Sequence, residues 1–360
     1  MNRLCQSSYG NLEAVINFAG CNGNPDRRLV HFYRDRITGK WSKADIISTN
    51  PHSGGSIIQN STRRLHDQIH GDFEVLVLGG DGIMKHYTRD NTIPVSSGLY
   101  AWRLSATVNS EQHLHHGKLI ACDASPLYQS KTSNDDSSEG TTLETAVLTN
   151  LGDIFHYRCS QSKHDGSTII HQWNLVDRIT YGATGPACLY QDSQDDLKAL
   201  VPLDDGIVEY SFMFGAWNRR KCIAGMSGPA CIYNPNPADL SKVYAVVRCN
   251  NELTMLSNDG MDKLSLQNIW QTTDECQPPF PLRRLFGSSH HGENSRNPMA
   301  VISQSLDTLG HSPNVEAIVF HPCGTGWQGR WMVLHWSFLT LTKQWMVSEV
   351  VIDDVNGPPM

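Results

Sequence analysis

Histidine and arginine side chains crowd into a few polar stretches of this chain. His113, His115 and His116 fall within NSEQHLHHGKLIACD (109–123). Arg283, Arg284, His290 and His291 fall within QTTDECQPPFPLRRLFGSSHHGENSRNP (271–298). Trp327 and Arg330 stand in FHPCGTGWQGRW (320–331), and a fourth polar stretch, AGCNGNPDRR, covers 19–28. Imidazole and guanidinium groups can donate hydrogen bonds to a carbonyl or an anion, and imidazole can also move a proton or hold a metal. The His-x-His-His run lacks carboxylate partners and the context of a zinc site, so no metal is expected. The sequence has no G-x-S-x-G, H-E-x-x-H, P-loop or dinucleotide fingerprint, and no cofactor is expected. Gly79–Gly82 is a hairpin turn and not a phosphate cradle. The chemistry these residues suit is hydrogen-bond donation inside a pocket.

A second set of residues recurs. Gly185-Pro-Ala-Cys-Leu-Tyr-Gln-Asp192 is nearly repeated by Gly228-Pro-Ala-Cys-Ile-Tyr-Asn-Pro235, with weaker copies at 125–130, 55–60, 299–305 and the N-terminus. This segment, strand A, ends on Gln6, Gln59, Gln129, Gln191, Asn234 and Gln304. If strand A is innermost, these amides face a central channel, where they hold water or floor a ligand pocket. Strand B follows (12–18, 73–79, 143–149, 197–203, 243–249, 315–321) and carries Glu13, Glu74, Glu144 and Glu316, with Lys198 and Tyr244 breaking the series. Strand C carries His31, His86, His156 and His335, replaced by Glu209 and Met255 in two copies. Strand D opens on Trp41, Trp102, Trp173, Trp217 and Trp345; the fifth copy has no clear equivalent. These histidines and tryptophans are either sugar contacts or blade-packing groups. Packing is the reading taken, because a repeated residue usually maintains its repeat.

Short runs rich in Val, Ile, Leu and Tyr, separated by Gly-Asp-Gly, Asp-Asp-Gly and Asn-Asn turns, predict antiparallel hairpins. Six such units predict an all-β fold, a six-bladed β-propeller of four-stranded antiparallel blades. The blades fall at approximately 3–48, 55–108, 119–179, 185–224, 228–272 and 298–353 of one domain, with residues 3–8 as the inner strand that closes the ring. The long stretches 19–28, 109–123, 271–298 and 320–331 then open on one face from neighbouring blades. They would cap one side of the channel mouth.

Composition narrows the partners. The net charge of −7 argues against nucleic acid, which needs a basic surface. No apolar run is long enough to cross a bilayer as a helix, so no membrane partner is expected. No secretory signal is visible and none of the ten cysteines forms a C-x-x-C pair, so reduced core thiols and a cytoplasmic location are expected.

The combination of FEVLVLGGDGIMKHYTRD, a following tryptophan and GPACLYQ resembles the PLL-like β-propeller family over nearly the whole chain. That family includes fucose-binding lectins with sites between blades and fungal hetero-Diels–Alderases of tropolone–sesquiterpenoid biosynthesis. The resemblance implies two functions. The first is a cofactor-independent pericyclase that joins a tropolone o-quinone methide to a humulene-type sesquiterpene. Such an enzyme needs its reactants posed, a donor at the heterodiene carbonyl, and water excluded. On this reading His113, Arg283, His290 and Arg330 are the catalytic donors. His115, Arg284, His291, Trp327, Gln6, Gln59, Gln129, Gln191 and Gln304 contact the terpenoid and polyketide-derived substrates. The second is a glycan-binding lectin with sites between blades. The drifted repeats and unequal loops put the enzyme first.

Overall fold

The computed structural model describes residues 4–7, 9–18, 28–49, 51–52, 55–60, 71–90, 102–108, 121–125, 127–131, 141–164, 168–192, 194–224, 226–233, 242–249, 252–259, 264–268, 301–306, 313–323, 330–339 and 344–356. Within them the chain forms six antiparallel sheets. Blade 1 is β1 (Leu4–Gln6), β2 (Leu12–Phe18), β3 (Arg28–Arg34) and β4 (Trp41–Thr49). Blade 2 is β5 (Ser56–Gln59), β6 (Phe73–Leu78), β7 (Met84–Arg89) and β8 (Trp102–Thr107). Blade 3 is β9 (Ala121–Ala124), β10 (Tyr128–Lys131), β11 (Thr141–Thr149), β12 (Ile154–His164) and β13 (Thr168–Thr180). Blade 4 is β14 (Cys188–Gln191), β15 (Leu197–Leu203), β16 (Gly206–Met213) and β17 (Ala216–Ala224). Blade 5 is β18 (Met226–Tyr233), β19 (Lys242–Cys249), β20 (Glu252–Asp259) and β21 (Leu264–Asn268). Blade 6 is β22 (Val301–Leu306), β23 (Pro313–Cys323), β24 (Arg330–Leu339) and β25 (Gln344–Asn356). The architecture is all-β and six-bladed, as the repeat predicts.

Burial follows from position in a blade. Strand β6 is buried at every residue, because both of its faces meet a neighbouring blade. Such a strand reads as a continuous apolar run rather than an alternation. Strand β17, the outer edge of blade 4, is largely exposed and carries Arg219, Arg220 and Lys221. Charged residues on an exposed edge discourage pairing with another chain. The apolar core lies between blades. One cluster joins Val15, Leu29 and Ile47 of blade 1 to Ile57, Phe73 and Trp102 of blade 2. Another joins Leu76 and Met84 of blade 2 to Leu143, Tyr157 and Trp173 of blade 3. A third joins Ala146 and Ile154 to Leu189, Leu197 and Val208 of blade 4. The ring closes where β1 packs against both β5 and β22, and where Val351 of blade 6 packs on the Leu4–Phe32 cluster of blade 1.

Three stretches assigned to loops, 19–28, 109–123 and 320–331, are partly strand, the first only at Arg28, which begins β3. Ala121–Ala124 pairs with the upper half of β11, so the inner strand of blade 3 is built from two pieces. Residues 320–323 continue β23, and Arg330 begins β24 opposite Cys323 and Asn356. Arg330 therefore belongs to a blade and not to a loop. Strand pairing outcompetes an open loop there because each backbone N–H and C=O gains a partner.

Candidate functional site

The repeated glutamate, histidine and tryptophan meet across blades. Within a blade, His86 lies opposite Leu76 and Glu74 lies two residues before it. That diagonal puts both side chains on one face. His86 Nε2 stands 2.8 Å from Glu74 Oε2, His31 Nε2 2.9 Å from Glu13 Oε2, and His156 Nε2 2.7 Å from Glu144 Oε2. A tryptophan of strand D of the following blade then meets the histidine edge-on. Trp102 covers His31, Trp173 covers His86, Trp217 covers His156, and Trp41 covers His335 across the ring closure. Trp173 Nε1–H donates to His86 Nδ1 at 3.3 Å. His86 is therefore the neutral tautomer that donates from Nε2 to Glu74.

These clusters are sealed. The three histidine and three glutamate side chains are between 0% and 5% exposed. Burial alone would raise the Glu144 carboxyl, but hydrogen bonds and charge from His156 and Arg158 hold it below its usual range. Buried carboxylates survive only with such partners. The strand-C histidines and strand-D tryptophans are inter-blade wedges, as the packing reading expects.

Blade 4 departs from the pattern on the face it turns to blade 5. Lys198 occupies the glutamate position and Glu209 the histidine position, so the charges are exchanged between the strands. Tyr190 O–H donates to Glu209 Oε2 at 2.8 Å, and Lys198 Nζ pairs with Asp192 Oδ2 at 2.8 Å. The Lys198 and Asp192 side chains remain 19% and 15% exposed, and Glu209 is half-buried. Burial, followed by the Glu209 charge, pushes the Tyr190 hydroxyl well above its ordinary range, keeping it a donor. Burial works against the Lys198 charge, but Asp192 and Glu209 outweigh it and hold the ammonium above its ordinary range. In blade 5, β21 has the sequence Leu-Ser-Leu-Gln-Asn and brings no tryptophan to this seam. A carboxylate, an ammonium and a phenol thus sit together on this face of blade 4, with no wedge histidine or tryptophan among the described residues. The sequence shows each exception by itself; that they coincide is visible only in that blade 4 loses its histidine just where blade 5 loses the tryptophan that would follow it.

The amides at the ends of strand A are engaged inside the ring. Gln6, Gln59 and Gln191 donate from Nε2 to Gly10, Gly71 and Asp195 carbonyls, at 3.4, 2.9 and 2.8 Å, each clasping its own A-to-B turn. Gln129 donates instead to Asn60 Oδ1 of blade 2 at 2.6 Å. Gln304 lies in β22 opposite Val315. His113, His115, His116, Arg283, Arg284, His290, His291 and Trp327 lie outside the described residues.

No protein-family model and no curated protein matches the chain. Solved structures do. A fungal lectin from Aleuria aurantia, described as a six-bladed β-propeller with a novel fucose recognition mode, superposes with a TM-score of 0.50 at 13% identity, covering 96% of this chain and 97% of that one. A second structure of the fucose-specific Aleuria aurantia lectin gives 0.52 at 12% identity and covers 98% of both chains. AofleA from Arthrobotrys oligospora gives 0.51 at 9% identity, covering 99% and 92%. At these identities the likeness is one of fold: this chain has the six-bladed propeller architecture of the fucose-binding fungal lectins over nearly its whole length.

Proposed function

We propose that this protein is a carbohydrate-binding propeller with one principal sugar site, at the seam between blades 4 and 5. The observation that carries this reading is the partly exposed set of Tyr190, Lys198 and Glu209 at the position where blades 1, 2 and 3 bury a glutamate and a histidine under the tryptophan of the next blade. Glu209 accepts from sugar hydroxyls, Lys198 donates to them, and Tyr190 orients the carboxylate. The fold likeness to fucose-specific lectins supports a sugar as the ligand class, and methyl α-fucoside is the first ligand to try. Titration calorimetry is expected to give about one site per chain. Glu209→Gln should weaken binding roughly 10- to 100-fold, the worth of a hydrogen bond to a charged group. Several equal sites, or binding unchanged in Glu209→Gln and Lys198→Ala, would remove the seam.

The cycloaddition reading keeps one observation in its favour. The sealed wedges of blades 1, 2 and 3 offer no equivalent sugar sites among the described residues, which suits a protein with a single pocket. Its pocket would lie under the stretches 19–28, 109–123, 271–298 and 320–331, with His113, Arg283, His290 and Arg330 as donors. Product formation from a quinone methide and a humulene-type alkene above the uncatalysed rate, lost on alanine replacement of these four, would select it over the lectin.

A further inference from the structure

His171 is an addition to the repeat. At the position two before the strand-D tryptophan, the other copies carry Gly39, Tyr100, Gly215 and Lys343. Only blade 3 places an imidazole there, and it reaches across the interface to the Glu74–His86 pair of blade 2. His171 Nε2 stands 3.7 Å from Glu74 Oε1, beyond a normal hydrogen bond. The His86 and His171 rings meet edge-on with centroids 4.8 Å apart. Glu74, His86 and His171 are 2%, 0% and 5% exposed. Both ring nitrogens of His171 are buried with no hydrogen-bond partner among the described residues. Leaving two such atoms unsatisfied is expensive, and nothing in the wedge design requires it, since the other wedges stand without a counterpart of His171.

We propose that Glu74, His86 and His171 hold a divalent zinc-type cation that ties blade 2 to blade 3. One ligand atom from each lies within 4.8 Å of the others. Two imidazoles and a carboxylate are an ordinary zinc donor set, with bonds of about 2.0–2.2 Å, so the three side chains draw together modestly on binding. The cation supplies one of the two His171 nitrogens with a partner and more than offsets the buried Glu74 charge. Coordination through His86 Nε2 moves that ring's proton to Nδ1 and ends the hydrogen bond from Trp173. Trp102 and Trp217 hold the same edge-on pose with no hydrogen-bond partner at Nε1 among the described residues, so the wedge does not depend on that bond. Metal loading should therefore register in the fluorescence of Trp173.

The test uses the full-length protein. Elemental analysis after expression with zinc should find about one equivalent, and cobalt substitution should give the visible bands of a low-coordinate site. Chelation should lower Tm by about 3 °C or more. His171→Gln should lose the metal and the chelator response while still unfolding cooperatively. His31→Gln, in the wedge between blades 1 and 2, should lower Tm yet keep the metal, which separates loss of binding from loss of folding. Trp173→Phe should keep the metal and lose the fluorescence change. The site is overturned if neither zinc nor cobalt binds at 100 μM and Tm does not move. It is equally overturned if His171→Gln binds as well as the parent. Sugar binding at the seam between blades 4 and 5 is a separate readout, so either idea can fail without the other.

Discussion

Glu74 keeps its charge with its side chain 3% exposed. Burial alone would raise its carboxyl, but the imidazoles of His171 and His86 outweigh burial and bring it from 4.5 down to about 2. His86 moves the same way: burial lowers it from 6.5, with His171 adding to the effect and Glu74 opposing it. Both folded values therefore lie below the unfolded ones. The His86 contribution is complete above pH 6.5 and declines as pH falls below it. The Glu74 contribution, about 3 kcal/mol, is complete above pH 4.5 and is lost as pH falls from 4.5 towards 2. The urea midpoint should hold steady above pH 7, decline below 6.5 and drop steeply below 4.5. In His86→Gln the shallow decline should shrink, with stability lower throughout by about 3–5 kcal/mol because a buried pair has lost one member. A flat profile from pH 7 to 4 would contradict the buried-pair account.

At the scale of elements, the wedge comes with a bulge. In blades 2, 3, 4 and 6 the register between strands C and D shifts right after the histidine position, leaving Ser105, Val176, Arg220 and Ser348 as the extra residue of strand D. Blade 1 shifts around His31 as well. Blade 5, with Met255 in place of histidine, pairs in unbroken register. A bulge sharpens local twist and bends the strand, and strand D must bend to carry its tryptophan against the preceding blade. The tryptophans and histidines were legible in the sequence because their residue types are rare and recur. The bulge was not, because its extra residue has no fixed type. Trp102 is 8% exposed, whereas Trp217 is only half-buried. Trp102→Ala should therefore cost about 3–5 kcal/mol in chemical denaturation and Trp217→Ala less. Equal costs would mean that the wedge is not a matter of burial.

At the scale of the molecule, the ring is held by clusters shared between neighbours, so each interface contributes separately, as in other repeat proteins. Among the described residues, the interface between blades 4 and 5 has neither the histidine nor the tryptophan of the wedge. Hydrogen exchange by mass spectrometry should therefore show the strands flanking it, β16 and β19, exchanging faster than β6 and β11, which lie between sealed wedges. A saturating sugar should slow exchange at β16 and leave β6 unchanged. Uniform protection around the ring would show that the seam is as tight as the rest.

The sequence by itself determined the number of blades, the order of strands within each, and which copies are irregular. Those features are local: an apolar run makes a strand, a Gly-Asp or Asn-Asn pair turns it, and the pattern repeats. The exchange of charge at Lys198 and Glu209 was visible as two broken series. What the tertiary structure decided is which residues meet between blades. That His171 joins Glu74 and His86, that Trp41 seals His335, and that Gln59 clasps the turn at Gly71 follow from how strands of different blades or hairpin ends stack in the ring. No local period encodes such contacts. Side chains from separate copies share an interface only once the ring has closed; the imidazoles brought there hold the charge of Glu74 against burial, and burial leaves the two nitrogens of His171 in want of a partner.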